Sequence, residues 1–145
     1  MRFEGTIEPF SDVDVKGYAE AILAVPQWEW LKLCDAHSGE KYKPLATELV
    51  EKHYPGCIVA GCGLWILMPG QVHPSHTDVQ DEHWITRVHV PILTNEHVVF
   101  TMNDGAHQMV VGKAYRFNNL TPHAVSNGGI TPRVHLLFDV HRNHL

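Results

Sequence analysis

From Cys57 onward the chain alternates short apolar runs with turn formers, and this rhythm restricts the fold more than any other feature. The runs are Cys57–Met68, His73–Val79, Trp84–Leu93, Val98–Met102, Met109–Val111, Ala114–Asn118, Ala124–Ser126 and Arg133–Val140. Pro69-Gly70, Thr94-Asn95, Asn103-Asp104-Gly105, Asn118-Asn119 and Asn127-Gly128-Gly129 part them. Short strands at this spacing indicate a β-sandwich or small barrel. The first third reads as helical. Ser11 with Asp12 and Asp14 predicts a helix start, Val15, Tyr18, Ile22 and Val25 follow at helical spacing, and Pro26 stops the run. Trp28–Leu33 fits either a strand or a short helical turn. Pro44 suits the first position of a second helix carrying Leu45 and Leu49, which Tyr54-Pro55-Gly56 ends. The expectation is one mainly β domain over residues 1–145, helical over 1–56, with a β core over 57–140.

A chain of 145 residues can bury a core without disulfides. Hydrophobic residues at 44% and charged residues at 19% argue against disorder. The net charge of −5 and the absence of a Lys/Arg cluster argue against nucleic acid and anionic membranes as partners. The longest mostly apolar stretch, Cys57–Pro69, is too short to span a bilayer, and Met1–Phe10 lacks the apolar segment of a signal peptide. Cys34, Cys57 and Cys62 are odd in number and form no CxxC, so they read as buried, reduced thiols of a cytoplasmic protein.

Twelve histidines stand out. Histidine is the commonest metal ligand. Alternation sorts some of them. In Trp84–Val90, Trp84, Thr86, Val88 and Val90 share one face, and Ile85, Arg87 and His89 the other. In Arg133–Val140, Val134, Leu136, Phe138 and Val140 share one face, and Arg133, His135, Leu137 and Asp139 the other. Arg-x-His thus recurs on one face of two strands. A water-facing sheet explains that pattern; so does a polar barrel interior that binds an anion.

His76-Thr77-Asp78 is an HxD, which alone is weak in a chain this rich in histidine. His123 follows in Thr121-Pro122-His123, and Arg133 comes ten residues later. Two imidazoles and one carboxylate make the facial triad of non-haem Fe(II) oxygenases.

The order His76-x-Asp78, His123, Arg133 resembles the Fe(II)/2-oxoglutarate-dependent oxygenases. Within them the chain is similar to the aspartyl/asparaginyl β-hydroxylase-like group, close to bacterial free-proline cis-hydroxylases. The shared stretch runs from about Gly63 to Val140 and includes Pro69-Gly70, Arg87-Val88-His89-Val90-Pro91, Phe117-Asn118-Asn119 and Arg133-Val134-His135-Leu136-Leu137-Phe138-Asp139. The resemblance implies a double-stranded β-helix, the cupin-like jelly-roll barrel, with the N-terminal helices packed outside. It implies Fe(II) on His76, Asp78 and His123, the distal carboxylate of 2-oxoglutarate on Arg133, and cosubstrate contacts from Arg87 and His89. The implied reaction consumes O2 and 2-oxoglutarate, hydroxylates a free amino acid or an amino-acid side chain in a short peptide, and releases succinate and CO2. Vertebrate-type members carry glycine where Asp78 stands, so the complete triad points toward the bacterial small-molecule hydroxylases. A cupin-type metalloenzyme without 2-oxoglutarate and a non-catalytic cupin-like binding module are the rival readings, which Arg133 and the Arg87/His89 pair discriminate: the first needs no buried arginine ten residues after His123, and the second needs no open metal positions.

Other positions carry plainer expectations. His73, at odd spacing from His76, should face away as a rim residue. His135 fits a hydrogen-bonded core histidine as well as a ligand. His37, His53, His83, His97, His107, His141 and His144 read as solvated, Asp81-Glu82 as an exposed connection, and Trp28, Trp30 and Trp65 as core. Asn118 and Asn119 fit a turn or a substrate-carboxylate contact.

Overall fold

A computed structural model describes residues 2–34 and 38–143. The elements run β1 (Ile7–Asp12), α1 (Lys16–Leu23), a 3-10 turn (Gln27–Cys34), α2 (Ser38–His53), β2 (Cys57–Leu67), β3 (Val72–His76), β4 (Trp84–Leu93), β5 (Val98–Met102), β6 (Gly105–His107), β7 (Lys113–Phe117), β8 (His123–Asn127) and β9 (Arg133–Arg142). All strand pairs are antiparallel. Five strands form one sheet in the order β1-β7-β4-β9-β2, and four form the other in the order β3-β8-β5-β6. This is the cupin-like jelly roll, mainly β with helices outside.

Alternation builds two cores. Val88 and Val90 of β4 and Val134, Leu136, Phe138 and Val140 of β9 face outward and are buried under Ile22, Tyr42, Ala46, Leu49 and Val50 of the helices. Between the sheets lie Leu67, Val98, Phe100, Met102, Tyr115, Phe117 and Val125. At about 25 cal/mol per Å² of apolar surface, the side chains fully buried here contribute roughly 1.5–3 kcal/mol each.

One turn delivers the chain from the first sheet to the second. Gln71 N–H donates to Met68 C=O at 3.0 Å, and Gly70 sits at φ +82°, which is the type II geometry that Pro69-Gly70 encodes. Gly70 N–H also donates to Asn127 C=O at 2.7 Å, which ties the turn to the end of β8.

Several local expectations change. Ser11 lies in β1 opposite Ala114, and α1 begins only at Lys16, whose N–H is accepted by the Asp14 carboxylate at 3.0 Å. β1 is an edge strand with Pro9 beside a register shift, so no clean alternation marked it. Pro44 sits inside α2, which starts at Ser38; the helix keeps the residue at the cost of one backbone bond because Tyr42, Ala46, Leu49 and Val50 anchor it to the sheet. The strand expected over Met109–Val111 lies earlier, at Gly105–His107, and Val110 N–H instead donates to the Tyr115 hydroxyl at 2.9 Å. A bulge between Trp84 and Thr86 turns Ile85 into the helix-side core and puts the Trp84 indole N–H 3.3 Å from Asp139 Oδ1, the reverse of strict alternation. Trp30 is core, but Trp28 is 77% exposed.

Cys57 and Cys62 are free and half-buried, and burial pushes the Cys62 thiol up to about 11. His97 is exposed, whereas His53 packs edge-on against Phe10 at 5.2 Å with Nε2 sealed from solvent. The expectations for His37 and His144, and for the Cys34 side chain, fall outside the described residues. Among the described residues no helix is long and apolar enough to cross a membrane.

Candidate metal centre

β3 and β8 pair so that His76 and His123 are cross-strand partners. Their rings stand 4.3 Å apart between centroids. Asp78 lies just past the end of β3, and its N–H donates to Asn119 C=O at 2.9 Å. The turn at Asn118-Asn119 therefore folds Asp78 back onto the pair. Asp78 Oδ1 is 3.7 Å from His76 Nε2, and Oδ2 is 3.6 Å from His123 Nε2. Metal-ligating atoms of all three residues lie within 4.8 Å of one another.

The remaining ring atoms show which nitrogens are free. His76 Nδ1 is 2.9 Å from Pro74 C=O, and His123 Nδ1 is 2.8 Å from Thr121 C=O. A carbonyl only accepts, so both Nδ1 atoms carry the proton and both Nε2 lone pairs face Asp78. Burial lowers the His123 pKa, which favours the neutral, ligating form. Two oriented imidazoles and a carboxylate fit a divalent iron with open positions.

Asp78 is itself held. Asn119 Nδ2 donates to Oδ2 at 3.1 Å, and Arg87 Nη1 lies 3.5 Å from the same oxygen. Arg87 reaches it from a fixed position, because Nε and Nη2 fork onto Asp139 Oδ1 and Oδ2 at 3.0 and 3.1 Å. Arg87 and Asp139 are register partners on β4 and β9. With Oδ2 occupied, Oδ1 is the oxygen best free to ligate.

The three residues open onto a cavity of about 230 Å³. Phe100, Phe117, Val125 and Leu137 make its apolar wall, and His89 and Arg133 also line it. Arg133 is 5% exposed, has no carboxylate within ion-pair distance among the described residues, and leaves Nε without a partner. Burial pushes its pKa down to about 10. Its guanidinium lies over the Phe100 ring at 5.8 Å. His89 and His135 are both buried, with their Nδ1 atoms 3.1 Å apart. Desolvation first, then the nearby Arg133 charge, holds both well below the usual histidine range.

All six residues singled out by sequence thus gather around this cavity. His135 is a hydrogen-bonded core histidine. Two expectations fail at the rim. His73 lines the cavity, because the β3–β8 register shifts between His73 and His76 and undoes strict alternation. Trp65, expected in the core, is 53% exposed and forms the open wall, because β2 is the edge of its sheet. The anchoring role of Asp139 was hidden: it sat on the polar face, but only the β4–β9 register shows that it meets Arg87.

No protein of curated function matches the chain in sequence. Among solved structures, a prolyl-4-hydroxylase from Pseudomonas putida is similar with a TM-score of 0.64 and 14% identity, over 97% of this chain and 94% of that one. The viral collagen prolyl hydroxylase of Paramecium Bursaria Chlorella virus-1, in its 2OG complex, is similar at 0.63 and 11%, over 97% of each. The nickel complex of the non-heme monooxygenase ThoJ is similar at 0.54 and 16%, over 88% of this chain and 65% of that one. At these identities the likeness is one of fold. Sequence similarity carries further: residues 7–143 match the aspartyl/asparaginyl beta-hydroxylase family, and the chain belongs to that family of hydroxylases.

Proposed function

We propose that the protein is an Fe(II)- and 2-oxoglutarate-dependent dioxygenase that hydroxylates an amino-acid side chain, free or within a short peptide. The observation that carries this reading is Arg133, a buried guanidinium with no carboxylate partner among the described residues, in the cavity that contains the triad. A buried charge is stable only when paired, and a small dicarboxylate supplies the missing anion. His76, Asp78 and His123 would hold the iron, and Arg133 with His89 beside it would hold the far carboxylate of 2-oxoglutarate. Bound together, iron and 2-oxoglutarate supply the oxidation of a C–H bond by O2, with succinate and CO2 as co-products.

The chain's own work is placement. Asn119 and Arg87 keep Asp78 aimed between the imidazoles. Pro74 and Thr121 carbonyls keep both Nε2 atoms turned inward. Phe100, Phe117, Val125 and Leu137 exclude water around the anion site, which strengthens its electrostatics. Trp65 and His73 stand at the open side, where a substrate side chain would enter. The reaction runs in the cytoplasm on this reading.

The test is an anaerobic titration of 2-oxoglutarate into protein with Fe(II), following the visible band of an iron-bound 2-oxo acid. The band should appear with wild type, vanish in His76→Ala and require at least tenfold more 2-oxoglutarate in Arg133→Ala. Iron binding without a band would favour a cupin-type metalloenzyme that uses another substrate. No metal binding would leave a binding module.

A further inference from the structure

Beside the cavity lies a buried pair that iron ligation does not use. His89 Nδ1 and His135 Nδ1 are 3.1 Å apart, and His135 Nε2 is sealed with no hydrogen-bond partner among the described residues. Burial and the Arg133 charge keep both rings neutral. Two neutral imidazoles meeting through Nδ1 share one proton between them, so one ring donates and the other accepts.

The two assignments differ at the far nitrogens. If His89 donated, His135 would carry its proton on Nε2, as a sealed N–H with nothing to accept it. Orphaned buried N–H groups are rarer than orphaned acceptors. If His135 donates, its Nε2 is a bare lone pair, the milder defect. His89 then carries its proton on Nε2. His89 lines the cavity, and with Nδ1 committed to His135, Nε2 is the nitrogen left to face the ligand.

We propose that His135 is a positioning residue: its Nδ1–H donates to His89 Nδ1 and locks His89 in the tautomer that presents Nε2–H to the cavity. The anion site then has a neutral donor beside the Arg133 fork and no lone pair aimed at a carboxylate. Phe100 supports the arrangement from one side, tilted only 22° from the His135 plane at 5.9 Å and lying under Arg133. The role of the carboxylate rests on the 2-oxoglutarate reading above; the tautomer itself does not.

Two measurements test the proposal separately. In 15N-labelled, zinc-loaded protein, long-range 1H–15N correlation reads which nitrogen of each histidine is protonated. His89 should be protonated at Nε2 alone and His135 at Nδ1 alone. Protonation of His89 at Nδ1, or of either ring at both nitrogens, overturns the proposal whether or not any variant folds. Calorimetric titration of 2-oxoglutarate into the zinc-loaded protein provides the second arm. His135→Leu should weaken binding about tenfold, while His135→Asn, whose amide N–H replaces the Nδ1 donor, should stay within about threefold of wild type. Equal weakening in both variants would reduce His135 to a packing residue and overturn its positioning role. If wild type takes no 2-oxoglutarate, the functional reading fails and the tautomer assignment is decided by the NMR arm alone.

Discussion

A guanidinium buried without a counter-charge lowers the stability of the ligand-free fold, and among the described residues Arg133 has none. Replacing it by a flexible apolar side chain should therefore stabilise the protein while destroying the anion site. Arg133→Met is expected to raise unfolding free energy by about 1–3 kcal/mol, read by urea denaturation, and to abolish measurable 2-oxoglutarate binding. A destabilised Met variant would mean that Arg133 is paired in solution. Asn119 would act one step behind a metal held by Asp78. Removing its amide in Asn119→Ala frees Asp78 Oδ2 of its 3.1 Å donor and should weaken metal binding roughly 10- to 100-fold in a competition titration. Unchanged affinity would leave the fork of Arg87 and Asp139 as sufficient support.

Elements place these residues through two close junctions. The Pro69-Gly70 turn moves the chain from β2 to β3, and the β3–β8 pairing sets His76 against His123. On the opposite side of the sheet α2 lies almost on β2. A Cβ at Gly39 would collide with Cys62 C=O, backbone that cannot swing aside. Gly39→Ala should cost about 2–4 kcal/mol in chemical unfolding although alanine is the better helix former. A stabilised variant would show that α2 can lift from the sheet. β1 illustrates why some elements escaped reading. Its register breaks between Pro9 and Ser11, so neither a period of two nor a helical period could mark it.

For the whole molecule, the buried His89 and His135 link stability to pH. Unfolded, each takes up a proton near 6.5; folded, each does so only well below that value. Between those limits the unfolded chain binds more protons, so acid favours unfolding. Stability should be full above about pH 7 and fall as pH drops through 6.5, by up to ~1.4 kcal/mol per pH unit for each histidine. Urea unfolding from pH 8 to pH 5 measures this slope, and His135→Leu should make it shallower. A flat profile would show that the pair is charged or solvated in the fold.

The residues that chemistry demands were legible in the chain because they are defined by type and order. HxD, a later histidine, and an arginine ten residues beyond it name the candidate donor set through the family resemblance they carry, and strand alternation puts Arg87 and His89, and separately Arg133, on the polar face of their strands. Barrel class was equally legible, since short apolar runs with frequent turns have few ways to cover an edge. What needed the tertiary structure was register. Only the pairing of β4 with β9 commits Arg87 to Asp139, only the register shift between β3 and β8 turns His73 toward the cavity, and only the edge position of β2 exposes Trp65. A one-residue slip turns a strand's side chains over, and bulges that impose such slips depend on partners far away in sequence. Local pattern therefore determined which candidate groups the chain carries, and long-range pairing decided which of them touch.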